Sequence, residues 1–267
     1  HVYKFSYEKK KNNQWAQEKS LISSIFRKYD LSINLTASDR SVIYGIIASK
    51  FSISAIEKNK KKSWWKSILL SNYYYFDNSK HILLNNLKSL DILKINHEKI
   101  SPIIEPSKKT MNRVKSDLEK KGIEDFLIFH PSAQYGYKIY PKNLRNELLR
   151  LLDGLNIPII ITGSDNEIDR NISMEIQQTD NLLNYIGKTS LEEFIAISKL
   201  SMAYVGMDTL NMHIAASQQK RIFAIFGPTI LSMWSPWSSS LKISAIQNLP
   251  IQNYGEITIF QANMPCV

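Results

Sequence analysis

The sequence predicts an α/β protein made of two parallel, doubly wound domains that face one another across a cleft, and three observations carry that prediction. From about residue 111 onward, short apolar runs alternate with segments of helical spacing. A parallel strand needs a crossover helix to return the chain, so strict alternation of this kind means a parallel sheet. Polar residues gather where the apolar runs end, which is the ligand-bearing edge of such a sheet. Residues 95–107 hold Pro102 and Pro106, lack any periodicity, and separate two halves with apolar runs of their own. The 267 residues, 43% hydrophobic, suffice for two cores of ordinary size. The expected domains are 1–106 and 107–267.

The elements follow in order. Residues 2–5 suit a strand, and Leu21, Ile22, Ile25 and Phe26 fall on one face of a helix over 17–28. Tyr29-Asp-Leu-Ser-Ile-Asn-Leu reads as a strand. Thr36-Ala-Ser-Asp-Arg-Ser then offers N-cap residues to a helix over 40–49, and a third strand covers 51–56. Residues 58–77 mix lysine with Trp64, Trp65, Tyr73, Tyr74, Tyr75 and Phe76. This mixture reads first as an amphipathic segment over a core; stacking on bases and lying at a membrane interface are the other readings. Leu83, Leu84, Leu87 and Leu90 place a helix over 80–93. With only about three strands before the linker, the first domain is expected to be incomplete at its start.

In the second half, helices are expected over 111–121, 141–152, 165–177 and 190–200, the last opened by the capping sequence Ser190-Leu-Glu-Glu. Strands are expected over 126–129, 157–162 and 183–186. Residues 202–229 close the series as a strand–helix–strand unit, with strands over 202–205 and 222–226 and a helix over 210–217.

Composition narrows the function. Lys+Arg number 34 against 24 Asp+Glu, a formal charge of +10 concentrated in runs such as 58–62 and 108–109. Such runs are solvated surface or draw an anionic partner: nucleic acid, a lipid surface or a phosphorylated substrate. The single cysteine, Cys266, allows no internal disulfide and fits a reducing compartment. No apolar run is long enough to span a bilayer and no leader pattern opens the chain, so a cytoplasmic protein is expected. The five histidines are scattered, and no metal site is expected. Neither G-x-x-x-x-G-K-[ST] nor G-x-G-x-x-G occurs, which argues against nucleotide hydrolysis and dinucleotide redox chemistry.

Three strand ends carry candidate site residues. The first runs into His130-Pro-Ser-Ala-Gln-Tyr-Gly-Tyr-Lys138, where Ser132 supplies a hydroxyl and Lys138 a movable point charge suited to phosphate. The second runs into Gly163-Ser-Asp-Asn-Glu167, whose carboxylate either favours a helix dipole or accepts from ribose hydroxyls. The third, Gly206-Met-Asp208-Thr209, meets a helix N-terminus whose free N–H groups can hold a diphosphate, although Asp208 and Thr209 are also ordinary cap residues. His213, one and a half turns beyond Asp208, reads as structural at least as well as functional.

The series P-S-A-x4-K-x-Y-P, I-T-G-S-D-N-E, K-T-S-L-E-E-F, G-M-D-T-L-N-M-H-I-A-A-S and F-A-I-F-G-P-T, over about 126–234, resembles the heptosyltransferases of lipopolysaccharide core synthesis, glycosyltransferase family 9. The first half resembles them more faintly, through Tyr29-Asp-Leu-Ser-Ile-Asn-Leu and Ser38-Asp-Arg-Ser41. The resemblance implies a GT-B fold of two Rossmann-like domains, no metal and no cofactor. It implies ADP-L-glycero-D-manno-heptose as donor and an anionic lipopolysaccharide inner-core glycolipid as acceptor at the inner membrane face, with transfer by inversion. Peripheral membrane contact is compatible with it; nucleic acid is not expected. Carried over by position, Ser132 and Ala133 lie in the phosphate-side loop and Lys138 neutralises the diphosphate. Glu167 accepts from ribose and Thr189 sits beside the base. Asp208, Thr209 and Leu210 line diphosphate and sugar, with His213 supporting that turn. Lys138 and Asp208 are the catalytic assignments, and Asp39 and Arg40 the acceptor-side ones.

The sequence departs from the family at Leu210, commonly a small residue there, and at Tyr140, often tryptophan. The family's first strand and Gly-Asp loop, which supplies the proposed base, has no counterpart before Val2. The chain is therefore expected to keep the leaving-group half of the machinery, to lack the base, and to stop short at Val267. A transferase of the same family acting on protein or another glycan, and a non-catalytic sugar-nucleotide-binding module, are the alternatives.

Overall fold

The computed structural model describes residues 2–3, 10–97, 103–237, 243–247 and 258–262. The chain divides into two compact units, His1–Lys99 and Ile100–Val267. The strand expected over 2–5 lies largely outside the described residues, and Cys266 wholly so.

The first unit runs α1 (Lys10–Ile25), β1 (Tyr29–Asn34), α2 (Asp39–Ala48), β2 (Ser49–Ile56), α3 (Lys60–Leu69), β3 (Asn72–Tyr75) and α4 (Ile82–Ile92). Its three strands pair in parallel in the order β1-β2-β3. Side chains alternate across a strand, so β2 feeds two cores. Ile56 packs with Val42, Leu70, Ile46 and Trp65, whereas Ile53 and Ala55 pack with Tyr74, Phe76, Ile92 and Leu93. Local hydrogen bonds start the helices: Ser38, Asn59 and His81 each accept a first-turn N–H of α2, α3 and α4.

Two expectations for this unit need correcting. Phe26 does not share the buried face of α1; it is 63% exposed, because the helix stops at Ile25 and Arg27 turns the chain through a left-handed conformation (φ 47°). Residues 58–77 are also not one amphipathic cover but a crossover helix and an edge strand, α3 and β3. Trp65 joins the core while Trp64 stays 61% exposed. The fully buried side chain of α3 is Lys66. A buried ammonium is tolerated only when paired and hydrogen-bonded. Lys66 Nζ meets Asp39 Oδ1 at 2.7 Å and Glu57 Oε2 at 2.8 Å, and donates to the carbonyl of Ala37 at 2.6 Å.

The second unit holds α5 (Lys108–Glu119), β4 (Leu127–His130), a 3₁₀ turn (Gly136–Lys138), α6 (Lys142–Asp153), β5 (Ile159–Ile161), α7 (Glu167–Glu175), β6 (Leu182–Asn184) and α8 (Leu191–Leu200). It continues with β7 (Ala203–Met207), α9 (Leu210–Ser217), β8 (Arg221–Phe226), α10 (Leu231–Trp234), β9 (Ile243–Gln247) and β10 (Thr258–Ala262). The sequence reading assigned nothing to the last three. The sheet order is β10-β9-β8-β7-β4-β5-β6, parallel except for β10 on β9. Alternation again makes two cores. Ile128, Ile160 and Tyr204 pack under α5, α8 and α9, while Phe129, Ile159, Ile161 and Val205 pack under α6 and α7. Helices on both faces of a parallel sheet are the doubly wound arrangement expected. Strand order reverses between β4 and β7, so the loops after those strands diverge and leave a crevice.

Gly206 makes that junction possible. It pairs with His130 across β4 and β7, and a Cβ added there would overlap the His130 carbonyl oxygen and lie 2.9 Å from the His130 Cβ. Gly206→Ala is expected to cost about 1–3 kcal/mol of stability by overpacking, read as a lowered urea midpoint. An unchanged midpoint would contradict this strand spacing.

Candidate functional site at the β4/β7 switch point

A pocket of about 360 Å³ lies at the carboxyl ends of β4, β5 and β7. Of the residues expected at the site, Ser132, Ala133, Lys138, Asp208, Thr209 and Leu210 line it. They come from the loop after β4 and from the turn between β7 and α9. The α9 N-terminus needs an anion or water, because no side chain caps it. Leu210, the first residue of α9, is 59% exposed.

The charged pair of the pocket is joined by a residue to which the sequence reading gave no role. Lys138 Nζ donates to Thr229 Oγ1 at 3.2 Å, and Thr229 lies near enough to Asp208 to favour its ionised form. Thr229 closes the F-G-P-T run after β8, the strand beside β7, and the Asp208 N–H donates to Ile225 of β8 at 3.0 Å. Burial pushes the Asp208 carboxyl up, against the opposing influence of Thr229 and the field of Lys138. His213 Nε2 stands 3.9 Å from Asp208 Oδ1, so the helix does turn this histidine toward the site.

Two further groups were missed. Asp169, in the first turn of α7, is buried and lines the pocket. Its carboxylate accepts from the Ser132 hydroxyl, from Ser164 N–H at 2.6 Å and Oγ at 2.7 Å, and from Asn166 Nδ2 at 3.0 Å. It ties the loop after β4 to the loop after β5. His130, the last residue of β4, is buried beneath the same pocket. Its Nδ1 lies 2.9 Å from the Thr162 carbonyl, 3.0 Å from the Thr162 hydroxyl and 3.1 Å from the Asn211 amide nitrogen, which is 3.4 Å from Nε2. Burial lowers the His130 pKa to about 4, against Asp169 and the Thr162 bond.

The remaining expected residues stand apart. Glu167 is exposed at the first position of α7, next to the pocket residue Asn166 but not in its lining. Thr189 lines a separate pocket of about 340 Å³ with Lys121, Tyr185 and Lys188. In the other unit, Asp39 is paired with Lys66, and Arg40 with Glu18 at 2.8 Å and the Tyr44 hydroxyl at 2.9 Å. Among the described residues no helix is long and apolar enough to cross a membrane.

The sequence model described as glycosyltransferase family 9 (heptosyltransferase) matches residues 19–260. Lipopolysaccharide heptosyltransferase 3 of Escherichia coli K12 is 22% identical over 165 residues, which cover 60% of this chain and 48% of that protein. The chain thus spans about half the length of this curated relative. Among solved structures, E. coli ADP-heptose lipopolysaccharide heptosyltransferase II superposes with TM-score 0.65 at 18% identity, covering 85% of this chain and 71% of that one. E. coli heptosyltransferase WaaC with ADP-2-deoxy-2-fluoro heptose gives 0.68 at 14% identity, covering 91% and 76%. A family 9 glycosyl transferase from Veillonella parvula gives 0.67 at 17% identity, covering 91% and 69%.

Proposed function

The chain belongs to glycosyltransferase family 9, the heptosyltransferases, and on that premise we propose that its second unit binds ADP-L-glycero-D-manno-heptose for transfer, with inversion, to a lipopolysaccharide inner-core acceptor. The observation that carries the reading is the convergence of Lys138, Thr229, Asp208 and the uncapped α9 N-terminus at one switch-point pocket. A diphosphate needs a cation and oriented N–H donors; a sugar needs a fixed carboxylate to accept from its hydroxyls. This pocket offers both, with Thr229 bonded to the cation and standing beside the carboxylate.

In the proposed reaction an acceptor hydroxyl oxygen attacks the anomeric carbon from the face opposite the leaving group. The carbon–oxygen bond to the β-phosphate breaks, ADP leaves, and the hydroxyl proton passes to a carboxylate acting as base. Charge accumulates on the departing phosphate. Lys138 and the first-turn N–H groups of α9 stabilise it without reorganising, since their positions are set by Thr229 and by the β7–α9 turn. Asp208 fixes the sugar. Asp169 holds Ser132 on the phosphate side, and Glu167, next to the pocket lining, accepts from ribose.

Thermal unfolding tests the donor assignment. A ligand that binds only the folded state at 100 times its Kd stabilises by about 2.7 kcal/mol, so ADP-heptose is expected to raise Tm clearly, UDP- and GDP-sugars little. Equal shifts with all three would remove the donor assignment.

A further inference from the structure

Helix α3 is built the wrong way round for a helix that only covers a core. At 3.6 residues per turn, Lys60, Lys61, Trp64 and Ile68 fall within about a third of its circumference. That face looks outward: Trp64 is 61% exposed and Ile68 70%. The inward face carries Ser63 and Lys66, both buried. A core-covering helix shows the reverse pattern. Trp65 joins the core, but Trp64 and Ile68 add little to the fold and are available to something else.

The charges around this face identify what that is. Lys58, Lys60, Lys61 and Lys62 precede or open α3, whose sequence KKKSWWKSIL contains no acid. Of the neighbouring carboxylates, Glu57 and Asp39 are engaged by Lys66, and Asp77 accepts from the Ser79 N–H and hydroxyl. A second copy of the chain would bring like charge against like charge. Nucleic acid would satisfy the lysines and stack on Trp64, but it offers Ile68 no apolar surroundings. An anionic bilayer meets all of these needs: lysines at the headgroups, an indole at the interface, and an aliphatic side chain at the edge of the hydrocarbon.

We propose that α3 docks the protein on an anionic lipid surface, with Lys60 and Lys61 at the headgroups and Trp64 and Ile68 inserted below them. This deepens the reading of a lipid-borne acceptor and rests on it for its purpose, while its geometry is independent of the donor pocket.

Cosedimentation with vesicles tests it, comparing phosphatidylcholine alone with phosphatidylcholine containing phosphatidylglycerol. The whole chain is expected to bind the mixed vesicles, to release them as salt rises, and to ignore neutral ones. Trp64→Ala combined with Ile68→Ala is expected to weaken binding at least about tenfold. Lys60→Glu with Lys61→Glu should nearly abolish it, each lysine being worth about fivefold. Both variants change exposed residues, so Tm should hold. ADP-heptose affinity is measured in parallel: its absence speaks against the transferase reading, whereas unaltered vesicle binding by both variants overturns this one. Equal binding to neutral vesicles overturns it too. So does a soluble oligomer that Ile68→Asp dissociates, or an affinity for single-stranded oligonucleotide that these variants abolish while vesicle binding survives.

Discussion

Lys138→Ala is expected to weaken the binding of ADP by about 1.5–3 kcal/mol, or ~10- to 100-fold in Kd, while leaving adenosine unaffected. The Lys138 ammonium is the cation within hydrogen-bonding reach of Thr229, and Thr229 stands beside Asp208 in turn. A bound diphosphate would compete for that ammonium, and the interaction is strong because the pocket walls are partly withdrawn from water. Adenosine lacks the phosphates and so reports on folding and base recognition alone. Calorimetry on the pair of ligands separates a lost charge contact from a damaged pocket. Equal losses for both would sink the assignment, as would no loss for ADP. Thr229→Val should move ADP affinity in the same direction by less, and Thr229→Ser should restore it, since serine keeps the hydroxyl that orders lysine and carboxylate. Arginine at 138 is a poor substitute, because a planar fork cannot replace a point contact to one hydroxyl.

Much of this site could be read from the chain alone because its parts are local. The Asp208-Thr209 turn and the helix after it are specified by consecutive residues, and the helix expected over 210–217 is α9 as found. Ser132 and Lys138 were legible for the same reason: they follow an apolar run that could only be a buried strand. What stayed hidden depends on partners far apart in sequence. Thr229 matters because β8 lies next to β7 and brings residue 229 to residue 138. Asp169 looked like one more acid in a helix, yet it accepts from Ser132, 37 positions away. Lys66 is the extreme case. Nothing in K-K-K-S-W-W-K marks its fourth lysine as the buried one; only the arrival of Asp39 and Glu57 from neighbouring loops makes that burial tolerable. Reading 58–77 as a cover over a core presumes that its large apolar side chains face inward; Trp65 does, but Trp64 and Ile68 do not.

His130 should make the protein acid-labile in a defined window. Its pKa is lowered from 6.5 to about 4 by burial, so the folded state refuses a proton that the unfolded chain accepts below pH 6.5. Between these values the unfolded state binds more protons, and stability rises with pH at up to about 1.4 kcal/mol per unit. The contribution is whole above pH 6.5 and falls away as the pH drops toward about 4, a loss of about 3 kcal/mol. Asp208 works in the opposite sense. Its raised carboxyl pKa lets the folded state keep a proton that the unfolded chain gives up, so its ionisation costs stability as pH rises above the ordinary carboxylate range. Comparing variants isolates the histidine. In urea unfolding across pH 7.5 to 4.5, His130→Gln should be less stable at neutral pH, having lost packing beside Tyr204 and Asn211, but should show a much flatter decline below pH 6.5. A decline as steep as that of the parent protein would mean that His130 is protonated in the folded state. In that case the buried ring would carry a charge beneath the pocket, and burial would not be what lowers its pKa.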